Sequence, residues 1–187
     1  MALVDRLKGI LFEPRKEWPK IAAETATPQS IYATWVCLFA AIGPLALIVA
    51  GGAGGGAKFA VGTYIMSLVI TFILALLIDA LAPSFGGTKD FIAALKLSAY
   101  SYTAAWIAGV FNLLGMLGGI LALLAAIYSW YTFYLGAPAL KKSSQEKAVP
   151  FTIVIVLCGI GLGLLFSFAL AGLGFIPRLG GIAMAPH

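Results

Sequence analysis

Histidine is almost missing from this 187-residue chain: the single one, His187, is the last residue. A metal site built on clustered histidines and a histidine-based catalytic triad are therefore excluded. Charge is scarce too, at 10% of residues, against about 25% in an ordinary soluble domain. The two cysteines, Cys37 and Cys158, fall inside apolar runs and read as small hydrophobes rather than a disulfide framework. Ser101 and Ser129 have no histidine to activate them, no paired aspartates stand inside an apolar run, and the glycine clusters lack the Lys-Ser/Thr ending of a phosphate loop. The expectation is a non-enzymatic protein with no catalytic residue, cofactor or metal. No nucleic-acid motif is present.

Apolar sequence is what the chain has in abundance: 61% hydrophobic residues and a mean hydropathy of +1.02. A bilayer crossing takes about 20 apolar residues. The runs predict an all-α integral membrane bundle of five transmembrane helices, at about 31–50, 59–82, 91–111, 120–138 and 151–175. Pro44 is tolerated within the first because neighbouring helices satisfy the freed carbonyl. The glycine-rich run 51–56 is too flexible to continue a helix and should end that span. The third span must begin near Phe91 and include Lys96 to reach across the core. Residues 1–30 form a cytoplasmic lead-in and 177–187 a short outer-side tail.

The lead-in is too charged for a signal peptide, carrying Asp5, Arg6, Lys8, Glu13, Arg15, Lys16, Glu17, Lys20 and Glu24. Leu3, Val4, Leu7, Ile10 and Leu11 recur at helical spacing, which predicts an amphipathic interfacial helix stopped at Pro14. A second short segment follows, with Trp18 as interfacial anchor. With five crossings and an inside N-terminus, ten basic residues lie inside, and only Lys58 and Arg178 outside. That bias predicts a cytoplasmic N-terminus and an outer-side C-terminus in an inner membrane. Arg15, Lys16, Trp18, Lys20, Lys141, Lys142 and Lys147 form the candidate cytoplasmic surface for anionic inner-leaflet lipids or a protein partner.

Asp79 and Lys96 are the ionisable residues inside predicted spans, and with Tyr100 and Ser101 they are the intramembrane polar candidates. Both charges lie near the inner boundary, so they are expected to pair across the hairpin of spans two and three, the alternative being a lysine that snorkels to the headgroups. In the last span Gly159, Gly163, Ser167 and Ala171 form a stripe of small residues at i+4 spacing. It predicts a groove filled by another helix of the same chain, the alternative being a homo-oligomer contact. The aromatic run Tyr128, Trp130, Tyr131, Phe133 and Tyr134 reads as an interfacial belt.

Several short motifs also carry a family likeness. Leu97-Ser98-Ala99-Tyr100-Ser101, Tyr128-Ser129-Trp130-Tyr131 running to Tyr134-Leu135-Gly136-Ala137-Pro138, and Glu146-Lys147-Ala148-Val149-Pro150 resemble short bacterial-type members of the Yip-one (Ypt-interacting protein) domain family. Members commonly carry a proline shortly after the Tyr-Ser pair, where Thr103, Ala104 and Ala105 stand here. The resemblance implies a five-span bundle with a cytoplasmic N-terminus. Eukaryotic relatives associate with Rab-type GTPases in vesicle trafficking, but through a longer N-terminal region, so that activity is not carried over. The functional expectation is a membrane scaffold or organising protein. The alternative is a small transporter or channel using Asp79, Lys96 and Tyr100.

Overall fold

The computed structural model describes residues 3–174, with backbone alone for 51–56. The expected tail 177–187 and the final residue of the fifth span lie outside the described residues. Everything regular in them is helical, as the apolar runs require when no water is present to satisfy backbone groups. Two ten-residue helices come first, α1 (Leu3–Phe12) and α2 (Pro14–Ala23). Proline at the first position of α2 suits a site where the N–H would be unbonded in any case. Among the described residues four helices are long and apolar enough to cross a membrane: α3 (Pro28–Ala50), α4 (Ala57–Phe85), α7 (Met116–Lys141) and α8 (Gln145–Gly172). Between α4 and α7 lie two shorter pieces, α5 (Phe91–Ser101) and α6 (Thr103–Ala108), followed by a 3-10 stretch, Gly109–Leu114.

The third expected span is therefore not one helix over 91–111. Its chain breaks at Tyr102, with no proline there to cause it. On either side of the break the Ser101 carbonyl and the Ala105 N–H, four residues apart, both turn toward α7. The Thr132 hydroxyl, which donates to the Ser129 carbonyl of its own helix (2.8 Å), has the Ser101 carbonyl as a second, longer acceptor (3.3 Å), and the Ala105 N–H donates to Ser129 Oγ (3.2 Å). Two hydroxyls on one helix thus hold open a break in its neighbour, since apolar surroundings offer nothing else to these groups. Ser129→Ala orphans the half-buried Ala105 N–H, and the expected loss is about 1 kcal/mol in a denaturation titration of the detergent-solubilised protein.

The glycine run also behaves otherwise than expected. Helical backbone continues from Ile42 to Leu81, yet the Tyr64 hydroxyl reaches the Cys37 carbonyl (3.2 Å) and the Tyr32 hydroxyl reaches the Leu68 carbonyl (2.8 Å). In a straight helix Cys37 and Tyr64 would stand about 40 Å apart. The path therefore turns back on itself, and both pairs centre the reversal near residue 50. Glycine's freedom appears as a bend rather than as a loss of helix.

Successive segments then run antiparallel. Ser98 Oγ of α5 donates to the Thr71 carbonyl of α4 (3.1 Å), and the ties at the break pair later residues of α5 and α6 with earlier ones of α7. Where α3 crosses the 3-10 stretch, the backbones nearly touch: a Cβ added to Gly109 would lie 2.6 Å from Gly43 Cα. The main core joins the lead-in to the spans, with Ile10, Trp18 and Ile21 buried among Leu74, Ile78, Leu97, Phe133 and Phe151. Trp18, expected as an interfacial anchor, is 1% exposed. It occupies a notch over Gly136, where any side chain would collide with it.

Candidate functional site

Charged side chains gather at one end of the bundle, where α2, the start of α5 and the ends of α4 and α7 meet. Asp79 Oδ1 accepts from Lys141 Nζ and from the Asp90 N–H, both at 2.7 Å. Lys141 Nζ also donates to the Asp90 carbonyl (2.9 Å), and the Lys141 carbonyl accepts from the Thr88 N–H (2.8 Å). Lys141 is fully buried. The connection from Ala82 to Asp90 is thereby strapped over the end of α7, and Asp90 turns its carboxylate to the Ala93 N–H to cap α5.

The expected pairing of Asp79 with Lys96 is wrong. Lys96 faces α2 instead, where its ammonium donates to the carbonyls of Ile21 (2.8 Å) and Glu24. A cation at a helix C-terminus satisfies free carbonyls and the negative end of the dipole together. The two residues stand at the same end of neighbouring helices, as the sequence indicated, but on different faces. The partner was missed because Pro138 reads as a helix end, whereas α7 passes through it and carries Lys141 inward. Lys141 consequently belongs to the interior and not to the expected lipid-facing surface.

A second cluster was not singled out. Arg6 of α1 is 5% exposed, lies 3.3 Å from Glu17 and bonds to Glu24. Its guanidinium sits 5.8 Å above the Tyr100 ring, and Lys20 adds a bond to Glu17 (2.9 Å). Glu17 and Glu24 are seven residues apart, a spacing that places both on one helical side. That spacing was the available signal. Gly9 allows the approach of α1 and α2, since a Cβ there would lie 2.6 Å from the Glu17 carboxyl carbon. Tyr100 joins Arg6, Glu24, Thr34 and Trp35 around a cavity of about 380 Å³, while Ser101 Oγ is buried with no hydrogen-bond partner.

Five candidate surface cations, Arg15, Lys16, Lys20, Lys142 and Lys147, are exposed. Lys142 ends α7 in the left-handed region (φ 54°). In α8 only the first member of the small-residue stripe meets a neighbour as expected: a Cβ on Gly159 would lie 2.9 Å from the Tyr102 hydroxyl. Among the described residues nothing lies within 4 Å of a Cβ on Gly163, and Ser167 and Ala171 are exposed. Ser167 Oγ bonds back to the Gly163 carbonyl (2.7 Å). The groove is filled only at its start, because α8 diverges from the break at Tyr102. The expected result is that Gly163→Leu changes detergent stability by less than about 0.5 kcal/mol, whereas Gly109→Ala, which drives Cβ into the Gly43 backbone, costs about 1–3 kcal/mol.

No curated protein and no solved structure matches the chain. The Yip1 domain matches residues 8–176, a stretch that takes in the buried lead-in, the broken segment and all four long helices. An all-helical membrane protein matched over that length belongs to the Yip1 domain family.

Proposed function

We propose that this protein is a non-enzymatic scaffold of the cytoplasmic membrane whose charged end faces the cytoplasm and gathers anionic lipid or a protein partner. The observation that carries this reading is the structural use of the polar groups on which a transport function would depend. Asp79 is tied to Lys141, and Lys96 caps α2. Exposed charged and aromatic residues, among them Phe12, Arg15, Lys16 and Lys20, cluster on the α1–α2 hairpin, and four cavities with charged residues in their walls all border α1 or α2.

Under this reading α5, α6 and the 3-10 stretch together make a fifth crossing, since antiparallel ties at Ser98, Ser101 and Ala105 hold the segment to α4 and α7, and the 3-10 stretch packs on α7 and on the helical run Ile42–Leu81 as well. Five crossings put the basic lead-in and the Lys142–Lys147 connection in the cytoplasm, in keeping with the positive-inside bias. Arg15, Lys16, Lys20, Lys142 and Lys147 are the surface through which the protein meets its partners. Reconstitution tests this. Vesicles holding the protein should show ion and proton flux at the level of empty vesicles, and native mass spectrometry should find phosphatidylglycerol retained over phosphatidylcholine. Flux above empty vesicles that Asp79→Asn abolishes would overturn the scaffold reading in favour of transport.

A further inference from the structure

The apolar surface of α7 stops short of its end. Its exposed large residues run through Ile120, Leu123, Leu124 and Ile127 to Tyr131, beyond which α2 lies over the helix, with Trp18 against Gly136. The lipid-facing strip of α7 therefore ends about 15 Å before Lys141. At that level stands the tip of the α1–α2 hairpin, fastened by the Tyr128 hydroxyl to the Leu11 carbonyl (2.7 Å).

Between tip and strip lies a cleft of about 310 Å³, walled by Phe12, Glu13, Arg15, Lys16, Tyr128 and Tyr131. Glu13 is already paired with Lys16 (3.0 Å), while Arg15 is exposed and has no ion-pair partner among the described residues. Phe12 is 78% exposed and Tyr131 43%, an arrangement of ring and cation that suits the boundary between acyl chains and headgroups.

We infer that this cleft seats the headgroup of an anionic glycerophospholipid of the same leaflet, its phosphate on Arg15 and Lys16 and its acyl chains along the strip from Tyr131 to Ile120. This deepens, and rests on, the proposed lipid-gathering role. Continuity with the lipid-facing strip selects a lipid as the occupant, and the uncompensated positive charge selects an anionic one. The volume suits a headgroup and glycerol, with the chains left outside on α7. Arg15 supplies the planar fork that grips two phosphate oxygens. Tyr131 and Phe12 bring exposed ring surface to the same walls.

The test is a titration of the phosphatidylglycerol fraction in phosphatidylcholine nanodiscs holding the whole chain, with retained lipid read by native mass spectrometry. Two neutralised cations are expected to weaken binding by about tenfold or more. The Arg15→Gln/Lys16→Gln variant should therefore need about ten times the phosphatidylglycerol for half-saturation, at an unchanged melting temperature because both side chains are exposed. Lys142→Gln/Lys147→Gln, which removes the same charge from the surrounding surface but not from the cleft, should shift it by a smaller factor of about threefold, and Tyr131→Phe by an intermediate amount. Equal shifts in the two double variants would overturn the cleft while leaving the distributed lipid-gathering surface intact. A wild-type protein with no preference for phosphatidylglycerol would overturn both. Displacement of the retained lipid by glycerol phosphate in detergent would replace the lipid with a soluble phosphate.

Discussion

Lys141→Ala is expected to destabilise the protein by about 3–5 kcal/mol in a denaturant titration, the range found when one partner of a buried ion pair is removed. Lys141 is fully enclosed, and it answers three demands at once: the Asp79 carboxylate, the Asp90 carbonyl and, through its own carbonyl, the Thr88 N–H. Removing the ammonium leaves Asp79 beside the ends of α4 and α7 with only the Asp90 N–H to balance it. Replacing both partners together, as Asp79→Asn with Lys141→Met, removes the uncompensated charge and should recover a large part of the loss. A single replacement that costs less than about 1 kcal/mol would show that water reaches the pair and that the strap is loose.

Gly136→Val is expected to act on a different element. Its Cβ would lie 2.6 Å from the Trp18 ring and 2.7 Å from a Leu97 methyl, and neither neighbour has room to retreat, because Trp18 and Leu97 are both buried in the main core. The cheapest relief is for α2 to lift away from α7. The loss should then approach that of Trp18→Ala, about 3–5 kcal/mol for a large aromatic removed from a core. The two changes touch one contact and should be strongly non-additive: once Gly136→Val has displaced α2, Trp18→Ala should cost much less. Hydrogen exchange of the double and single variants separates this from a general loss of the fold, since the amides of α4 and α8 should keep their protection when only α2 has lifted.

The long helices were legible because a membrane span writes itself into composition: four apolar runs of bilayer length became α3, α4, α7 and α8. Features that depend on a neighbour were not. The break at Tyr102 has no proline behind it and exists because Ser129 and Thr132 on another helix accept its consequences. Trp18 reads as an anchor for the interface until Gly136, over a hundred residues later, proves to be its notch. Asp79 and Lys96 were placed at one end correctly, but a depth count says nothing about rotation around the helix axis, and rotation gave Asp79 to Lys141 and Lys96 to α2. The stripe from Gly159 to Ala171 shows the same limit. Spacing identifies a common face, while only the divergence of α8 decides that Gly159 meets Tyr102 and Gly163 meets nothing among the described residues.

These corrections share a centre. The lead-in, which its charge and spacing make read as a helix lying on the inner leaflet, contributes three of the most deeply buried apolar side chains, Ile10, Trp18 and Ile21. It also supplies the carbonyls that hold Lys96 and the glutamates that hold Arg6. Both the proposed surface and the lipid cleft depend on α1 and α2 being fixed there. Amide hydrogen exchange of the wild-type protein in lipid nanodiscs measures this directly. The amides of α2 from Trp18 to Ala23 should exchange as slowly as those of the last three turns of α7, because the two helices open only together. Exchange of α2 at the rate of an unstructured chain, with α7 still protected, would mean that the hairpin is not part of the bundle and would contradict the account.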